Sequence, residues 1–284
     1  MNDCCYVCGA VEYKKRQGRV RDKSDLEIRE CVSCGLVFLS SFEHISEAFY
    51  EDSGMHEGDV SPEQWLRETA WDDKRRFDFL TRMIENKDIL DFGCGNGGFL
   101  IRCRDAAKNI MGVEPEQKLQ SWFQQNHLRV IQNLKDVSEH FDLITAFHVL
   151  EHIPNPREIL ISLSNKLKSH GEIIIEVPSA NDALISIYGN KAFSEFTYWS
   201  CHLFLFNENA LRILSGQAKL KVNYIKQIQR YPLSNHLYWL AHGQPGGHKK
   251  WGFLDSTDLQ ASYEKQLASI GACDTIIASF SSIA

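Results

Sequence analysis

Four cysteines stand in two matched pairs. Cys5-x-x-Cys8-Gly9 and Cys31-x-x-Cys34-Gly35 are separated by 22 residues. Thiolates at that spacing make a tetrahedral four-sulfur zinc site, and a glycine after each second cysteine permits the tight turn of a metal knuckle. Four thiolates close the coordination shell, so the expected Zn2+ is structural. Cys4 is an alternative first ligand, although Cys5 makes the symmetric pair. A second constellation is Asp91-Phe92-Gly93-Cys94-Gly95-Asn96-Gly97, followed by Glu114-Pro115. Glycines let a backbone take positive φ and let a ligand approach closely. An acid about 20 residues further on can accept both ribose hydroxyls of a nucleoside. The spacing Gly93-x-Gly95-x-Gly97 departs from the G-x-G-x-x-G of dinucleotide sites. Asp91 just before it suits a ligand with an ammonium group better than a pyrophosphate. A third set is His148, His152, Tyr198 and His202. Histidine is a base matched to neutral pH, so His152 and His202, with Tyr198 nearby, are the candidates for taking a proton from an acceptor hydroxyl.

These residues need a scaffold. Short apolar runs at Ile89–Phe92, Ile110–Val113, Leu128–Ile131, Leu143–Phe147 and Ile173–Val177 alternate with helix-length stretches, the signature of a parallel sheet with crossover helices. The glycine turn follows the first run, where a strand passes into a helix. Ser61-Pro62 reads as an N-cap with proline at the first helical position, and Trp65, Leu66, Thr69, Phe77, Leu80 and Ile84 continue it as an apolar stripe. Residues 179–206 are aromatic-rich and resist assignment. A helix near 207–216 and a strand near 220–230 follow, then an irregular stretch at 231–256, a helix near 257–270 and a strand Thr275–Phe280. Leu26–Arg29 and Leu36–Leu39 are expected as the strands of a zinc ribbon. The expected division is a zinc-ribbon module at 1–40, a helical linker or cap at 41–86, and a domain at 87–284 with lid-like insertions at 179–206 and 231–256.

The glycine turn resembles motif I of class I methyltransferases, which bind S-adenosylmethionine. Phe141-Asp142-Leu143-Ile144 with Phe147-His148-Val149-Leu150-Glu151-His152-Ile153-Pro154 resembles the fourth-strand region of that family, and Gly171-Glu172-Ile173-Ile174-Ile175-Glu176-Val177-Pro178 its fifth strand. The resemblance covers roughly residues 86–180. It implies an α/β, Rossmann-like, seven-stranded and mostly parallel sheet with helices on both faces, the last strand antiparallel. It also implies cofactor contacts at Asp91 and Gly93 toward the methionine part, at Cys94, Gly95 and Gly97 along the turn, and at Glu114 and Pro115 by the ribose. Asn133 and Leu134 would flank the adenine, and Phe147 and His148 would line the floor. Cys94 itself reads as a small turn filler.

An N-terminal four-cysteine module before such a domain resembles bacterial sugar and polysaccharide-pathway methyltransferases. That resemblance implies a small-molecule acceptor, a sugar or nucleotide-linked sugar. The C-methylating members carry a further large domain, which leaves O- or N-methylation open, and O-methylation of a sugar hydroxyl is the expected reaction. The chain has 284 residues and a formal net charge of −6, which argues against a broad nucleic-acid surface. No nucleic-acid and no membrane partner is therefore expected. The N-terminal segment has no basic n-region or apolar h-region, and a cytoplasmic protein is expected. Three other functions fit parts of the pattern: an RNA methyltransferase with a zinc module, an NAD-dependent oxidoreductase, and a non-catalytic zinc-ribbon interaction protein. The oligomeric state has no signature in the sequence.

Overall fold

The computed structural model describes residues 4–46, 49–52 and 61–283. Residues 47–48 and 53–60 of the expected cap at 41–86 lie outside the described residues. The strands are β1 (Tyr13–Lys15), β2 (Ile28–Cys31), β3 (Val37–Leu39), β4 (Asp88–Phe92), β5 (Asn109–Val113), β6 (Val130–Ile131), β7 (Phe141–Phe147), β8 (Leu167–Pro178), β9 (Phe204–Leu205), β10 (Leu220–Ile228) and β11 (Thr275–Ser282). Seven of them form one sheet in the order β10-β11-β8-β7-β4-β5-β6. β4 pairs in parallel with β5 and β7, β5 with β6, and β7 with β8. β11 enters antiparallel between β8 and β10. This is the expected Rossmann-like sheet.

The sheet forms here because its central strands are apolar on both faces. Ile89, Leu90, Ile144, Ile173, Ile174, Ile175 and Ile277 have no exposed surface. Covering both faces with helices removes such side chains from water, each burial contributing about 1.5–3 kcal/mol. Helix α1 (Pro62–Ile84) begins at the expected cap, where Ser61 Oγ accepts the Gln64 N–H at 3.3 Å. It buries Leu80 and Ile84 against a cluster containing Ile89, Phe99, Leu143 and Phe147. The helices Glu208–Gln217 and Thr257–Ser269 also fall where expected.

One expected strand is shortened, and two stretches gain structure that the sequence did not indicate. The third strand is only Val130–Ile131, because Leu128 turns out of line to pack with Leu100, Trp122 and Phe123. β1 carries no apolar alternation, since Tyr13, Lys14 and Lys15 are all exposed. It is held by its ladder to β2. The stretch 179–206 contains two short helices, Ala183–Ser186 and Lys191–Thr197. Asp182 accepts the Leu184 N–H at 2.7 Å and Asn190 the Phe193 N–H at 2.9 Å at their starts.

The second sheet runs β1-β2-β3-β9, antiparallel throughout. Its fourth strand comes from far along the chain: Val37 pairs with Leu205 and Phe38 with Phe204. Asn207 Nδ2 also donates to the Cys34 carbonyl at 3.0 Å. The cysteine-rich segment is thus built into the segment that follows β8.

Candidate active site and cysteine cluster

The carboxyl ends of β4, β5 and β7 open into a cavity of about 610 Å³. Ligands of open α/β sheets bind at such ends. Asp91, Gly93, Cys94, Gly95, Glu114, Pro115, Asn133, Leu134, Phe147, His148 and His152 all line it. Gly93 and Gly95 hold φ of 71° and 52°, and a Cβ at Gly93 would stand 2.5 Å from Val149 Cγ2. Gly97 is a correction. It is absent from the cavity wall, and a Cβ there would meet Leu128 Cδ1 at 2.5 Å, so its freedom serves packing at the helix start.

Glu114 is tied to the glycine turn. Its carboxylate accepts the Gly95 N–H at 2.9 Å and the Glu116 N–H at 3.1 Å. A carboxylate offers about four acceptor sites, so capacity is left for a ligand's hydroxyls. Burial raises its pKa above the ordinary carboxylate range. Asp91 is buried more deeply, and burial pushes its pKa up to about 7 against the opposing Thr145 hydroxyl, which donates to it at 2.7 Å. A cationic ligand would relieve that desolvation. Burial holds the Cys94 thiol well above its usual pKa, as befits a turn filler rather than a nucleophile.

One wall is an ionic lattice that the sequence did not announce. Glu176, fully buried on β8, accepts from Arg76 Nη2 at 2.7 Å and from Arg75 Nη2 at 2.9 Å. His148 Nε2 lies 3.2 Å from the same carboxylate, and His148 Nδ1 lies 3.1 Å from Glu151. Arg230 bonds Asp72 from Nε at 3.0 Å and reaches His148 Nε2 with Nη1 at 3.0 Å. His148 holds this place with a φ of 55°, a strained conformation for a residue with a side chain, while its N–H donates to the Glu176 carbonyl at 2.7 Å. Burial and Arg230 lower the His148 pKa, but bonds to Glu151 and Glu176 outweigh them and leave it raised. Trp65, Thr69, Asp72, Asp73, Arg76 and Arg230 also line the cavity. Trp65 and Thr69 belong to the expected apolar stripe of α1, whereas nothing in the sequence singled out Asp72, Asp73, Arg76 or Arg230. Tyr50 was missed as well. Its hydroxyl donates to the His152 carbonyl at 2.8 Å.

The proton-transfer candidates separate. His152 lies on the cavity, with Nδ1 2.8 Å from the Cys201 carbonyl and its ring 4.9 Å from that of His202. Burial lowers the His152 pKa and takes that of His202 down to about 3. His202 is behind His152 rather than on the cavity wall. Tyr198 is corrected. It is buried away from that wall, with its ring against Gly18.

The four cysteines converge as expected. Cys5 Sγ lies 3.5 Å from Cys34 Sγ, and Cys8 Sγ 3.5 Å from Cys31 Sγ. All four sulfurs lie within 4.8 Å of one another. Sulfurs about 2.3 Å from a tetrahedral zinc stand roughly 3.8 Å apart, so the donor set fits that ion. Gly9 and Gly35 carry φ of 73° and 74°. Cys4 is exposed and outside the cluster, whereas Cys5 is one of the four converging thiols.

A family model for a methyltransferase domain matches residues 58–223, more than half of the chain. The chain belongs to that methyltransferase-domain family. A tRNA U34 carboxymethyltransferase of Campylobacter hominis is 30% identical over 122 residues, covering 38% of this chain and 43% of the relative. A ubiquinone biosynthesis O-methyltransferase of Glaesserella parasuis is 30% identical over 115 residues, covering 34% of this chain and 47% of the relative. The chain therefore spans less than half the length of these two curated relatives. A solved magnesium protoporphyrin IX methyltransferase from Synechocystis PCC 6803 with bound SAH superposes with a TM-score of 0.53 at 12% identity, covering 85% of this chain and 100% of that one. That likeness is one of fold. The expected sugar acceptor and the expected exclusion of nucleic acid are both overturned: several curated relatives are named tRNA carboxymethyltransferases. Net charge averages over a surface and misses a local basic segment. No described helix is long and apolar enough to cross a membrane.

Proposed function

We propose that the cavity binds S-adenosylmethionine with Glu114 at the ribose and Asp91 at the methionine end, and that the acceptor enters on the His152 side. The observation that carries this is the pair of acids at the carboxyl ends of adjacent strands, Asp91 buried on β4 and Glu114 half-buried just past β5 and bonded to the glycine turn. Bound there, the cofactor would supply an electrophilic methyl group on a sulfonium sulfur that is a good leaving group. The residues of the chain orient the two partners and keep water out. Phe147 and the Arg76 guanidinium, stacked 4.6 Å over its ring, would form the floor. Asn133 and Leu134 would flank the adenine. In this reading residues 1–40 are a metal-stapled wall, 41–86 a cap and 87–284 the catalytic domain. The four thiolates would hold a structural zinc.

Glu114→Ala should weaken S-adenosylhomocysteine binding at least tenfold, because hydrogen bonds to a charged acceptor are worth about 1.5–3 kcal/mol each. Calorimetry on wild type and variant measures this, and equal affinities would remove Glu114 from the site.

For the acceptor, the reading with most support is a nucleic acid. The names of the tRNA-modifying relatives favour it. So does the segment between the cysteine pairs, where Lys14, Lys15, Arg19 and Arg21 are exposed in a chain of net negative charge. Arg21 lies 4.9 Å over the Trp199 ring, next to His202, so the basic segment reaches the His152 side of the site. Phosphate contacts from such residues position a nucleic acid without reading its sequence. Methyl transfer from labelled cofactor to bulk tRNA should be detectable and should fall steeply as salt rises. Absence of transfer to tRNA at low salt would end this reading of the acceptor.

A further inference from the structure

Glu151 has no exposed surface, 0% of its area, yet only half of its carboxylate is used. Oε1 is taken by His148 Nδ1 at 3.1 Å, whereas Oε2 has no hydrogen-bond partner among the described residues. A buried carboxylate oxygen without a partner is costly, so something must face it. Two imidazoles are in reach. One ligand atom each of Glu151, His152 and His202 lies within 4.8 Å of the others. His152 Nδ1 faces a carbonyl at 2.8 Å, which can only accept, so Nδ1 carries the proton and Nε2 keeps its lone pair. The His202 ring makes edge contacts to His152 and Trp199 and no hydrogen bond among the described residues.

We propose that Glu151, His152 and His202 form a second cation site, for a divalent first-row transition metal, at the acceptor side of the cavity. Two imidazoles and one carboxylate are a donor set that such ions take while keeping open coordination positions. The supporting contacts are those metal ligands need. A ligating histidine usually donates its other ring N–H to a carbonyl or carboxylate, and a ligating carboxylate is itself hydrogen-bonded. Here the Cys201 carbonyl serves His152 and the His148 ring serves Glu151. Bond lengths of about 2.0–2.2 Å put ligand atoms roughly 3 Å apart, so side-chain adjustment of an ångström or two closes the shell. Because His152 lines the cavity, the open positions of the ion are offered to an oxygen or nitrogen of the acceptor. This inference rests on the reading of that cavity as the methyl-transfer site. The site is separate from the thiolate cluster and of different character, since nitrogen and oxygen donors accept Mn2+ where four thiolates select zinc.

The test uses the full chain with its thiolate site loaded with zinc, titrated separately with Mn2+ and with further Zn2+. Wild type should bind one additional equivalent of at least one of them. Glu151→Gln, which keeps shape, and His202→Ala, at a half-buried position, should each weaken that binding at least tenfold. S-adenosylhomocysteine affinity is measured on the same samples, so failure to bind it counts against the cofactor reading alone. If wild type takes up neither ion, or if both variants bind as wild type does, Oε2 is satisfied by water and the cation site is overturned.

Discussion

Cys31→Ser is expected to lose one zinc equivalent per chain relative to wild type, and with it the small sheet. Structural zinc contributes on the order of 10–16 kcal/mol in small peptides, far more than any single contact in the molecule. The cysteine-rich segment also packs on the core around Phe204 and Phe206 and pairs β3 with β9, but only the metal would join its two knuckles to each other. Its buried side chains, among them Val7, Val20, Ile28 and Leu36, depend on the four sulfurs to bring the two knuckles together. The damage should travel. β3 is the ladder partner of β9, and Cys201 and His202 lie just ahead of β9 in the chain. Turnover should therefore collapse, while S-adenosylhomocysteine binding persists, because Asp91 and Glu114 stand on or next to β4 and β5 of the other sheet. Metal analysis, thermal unfolding and calorimetry on the same sample check each part. A variant with undiminished metal content, or wild type fully folded without metal, would dismiss the zinc staple.

Glu176→Ala should be the most destabilising single change in the ionic network behind the cavity wall. Removing one partner of a buried ion pair costs about 3–5 kcal/mol, because the other charge is left desolvated and unpaired. Here two guanidiniums, Arg75 and Arg76, lose their shared carboxylate at once. For a chain of this size each kcal/mol moves Tm by about 2–4 °C, so a fall on the order of 10 °C is expected. The pH dependence gives a second readout. Burial works to raise the Glu176 pKa, but Arg76, His148 and Arg75 together hold it well below the carboxylate range. A depressed folded-state pKa adds stability that is present above the unfolded value, about 4.3, and is lost as pH falls below it. Between about pH 5 and pH 3 the variant should therefore lose less stability than wild type does. A variant whose Tm and acid profile match wild type would show that Arg75 and Arg76 are satisfied elsewhere.

The amino-acid sequence by itself determined what depends on near neighbours. Apolar runs of strand length specify the parallel sheet, because both faces of each strand must be buried. The turn after β4 is specified by glycines at 93 and 95, which hold positive φ. Glu114 is placed by the end of the next strand, and the cysteine pairs by knuckle spacing. Only the tertiary structure decided which distant side chains share a charge or a lone pair. Arg76 and Glu176 are 100 residues apart, and Arg230 and Asp72 are 158 apart. On α1 such arginines look like a solvated face, and nothing local distinguishes a buried guanidinium from an exposed one. The same holds for Glu151, whose Oε2 has no hydrogen-bond partner among the described residues and whose carboxylate the fold brings near His202, and for β9, a two-residue strand made by its partner. The physical reason is common to all of these. Turns and strand runs are set by backbone conformation and local hydrophobicity, which a short window contains. Electrostatic partners are set by which surfaces the packed core brings face to face, and that is a property of the whole chain.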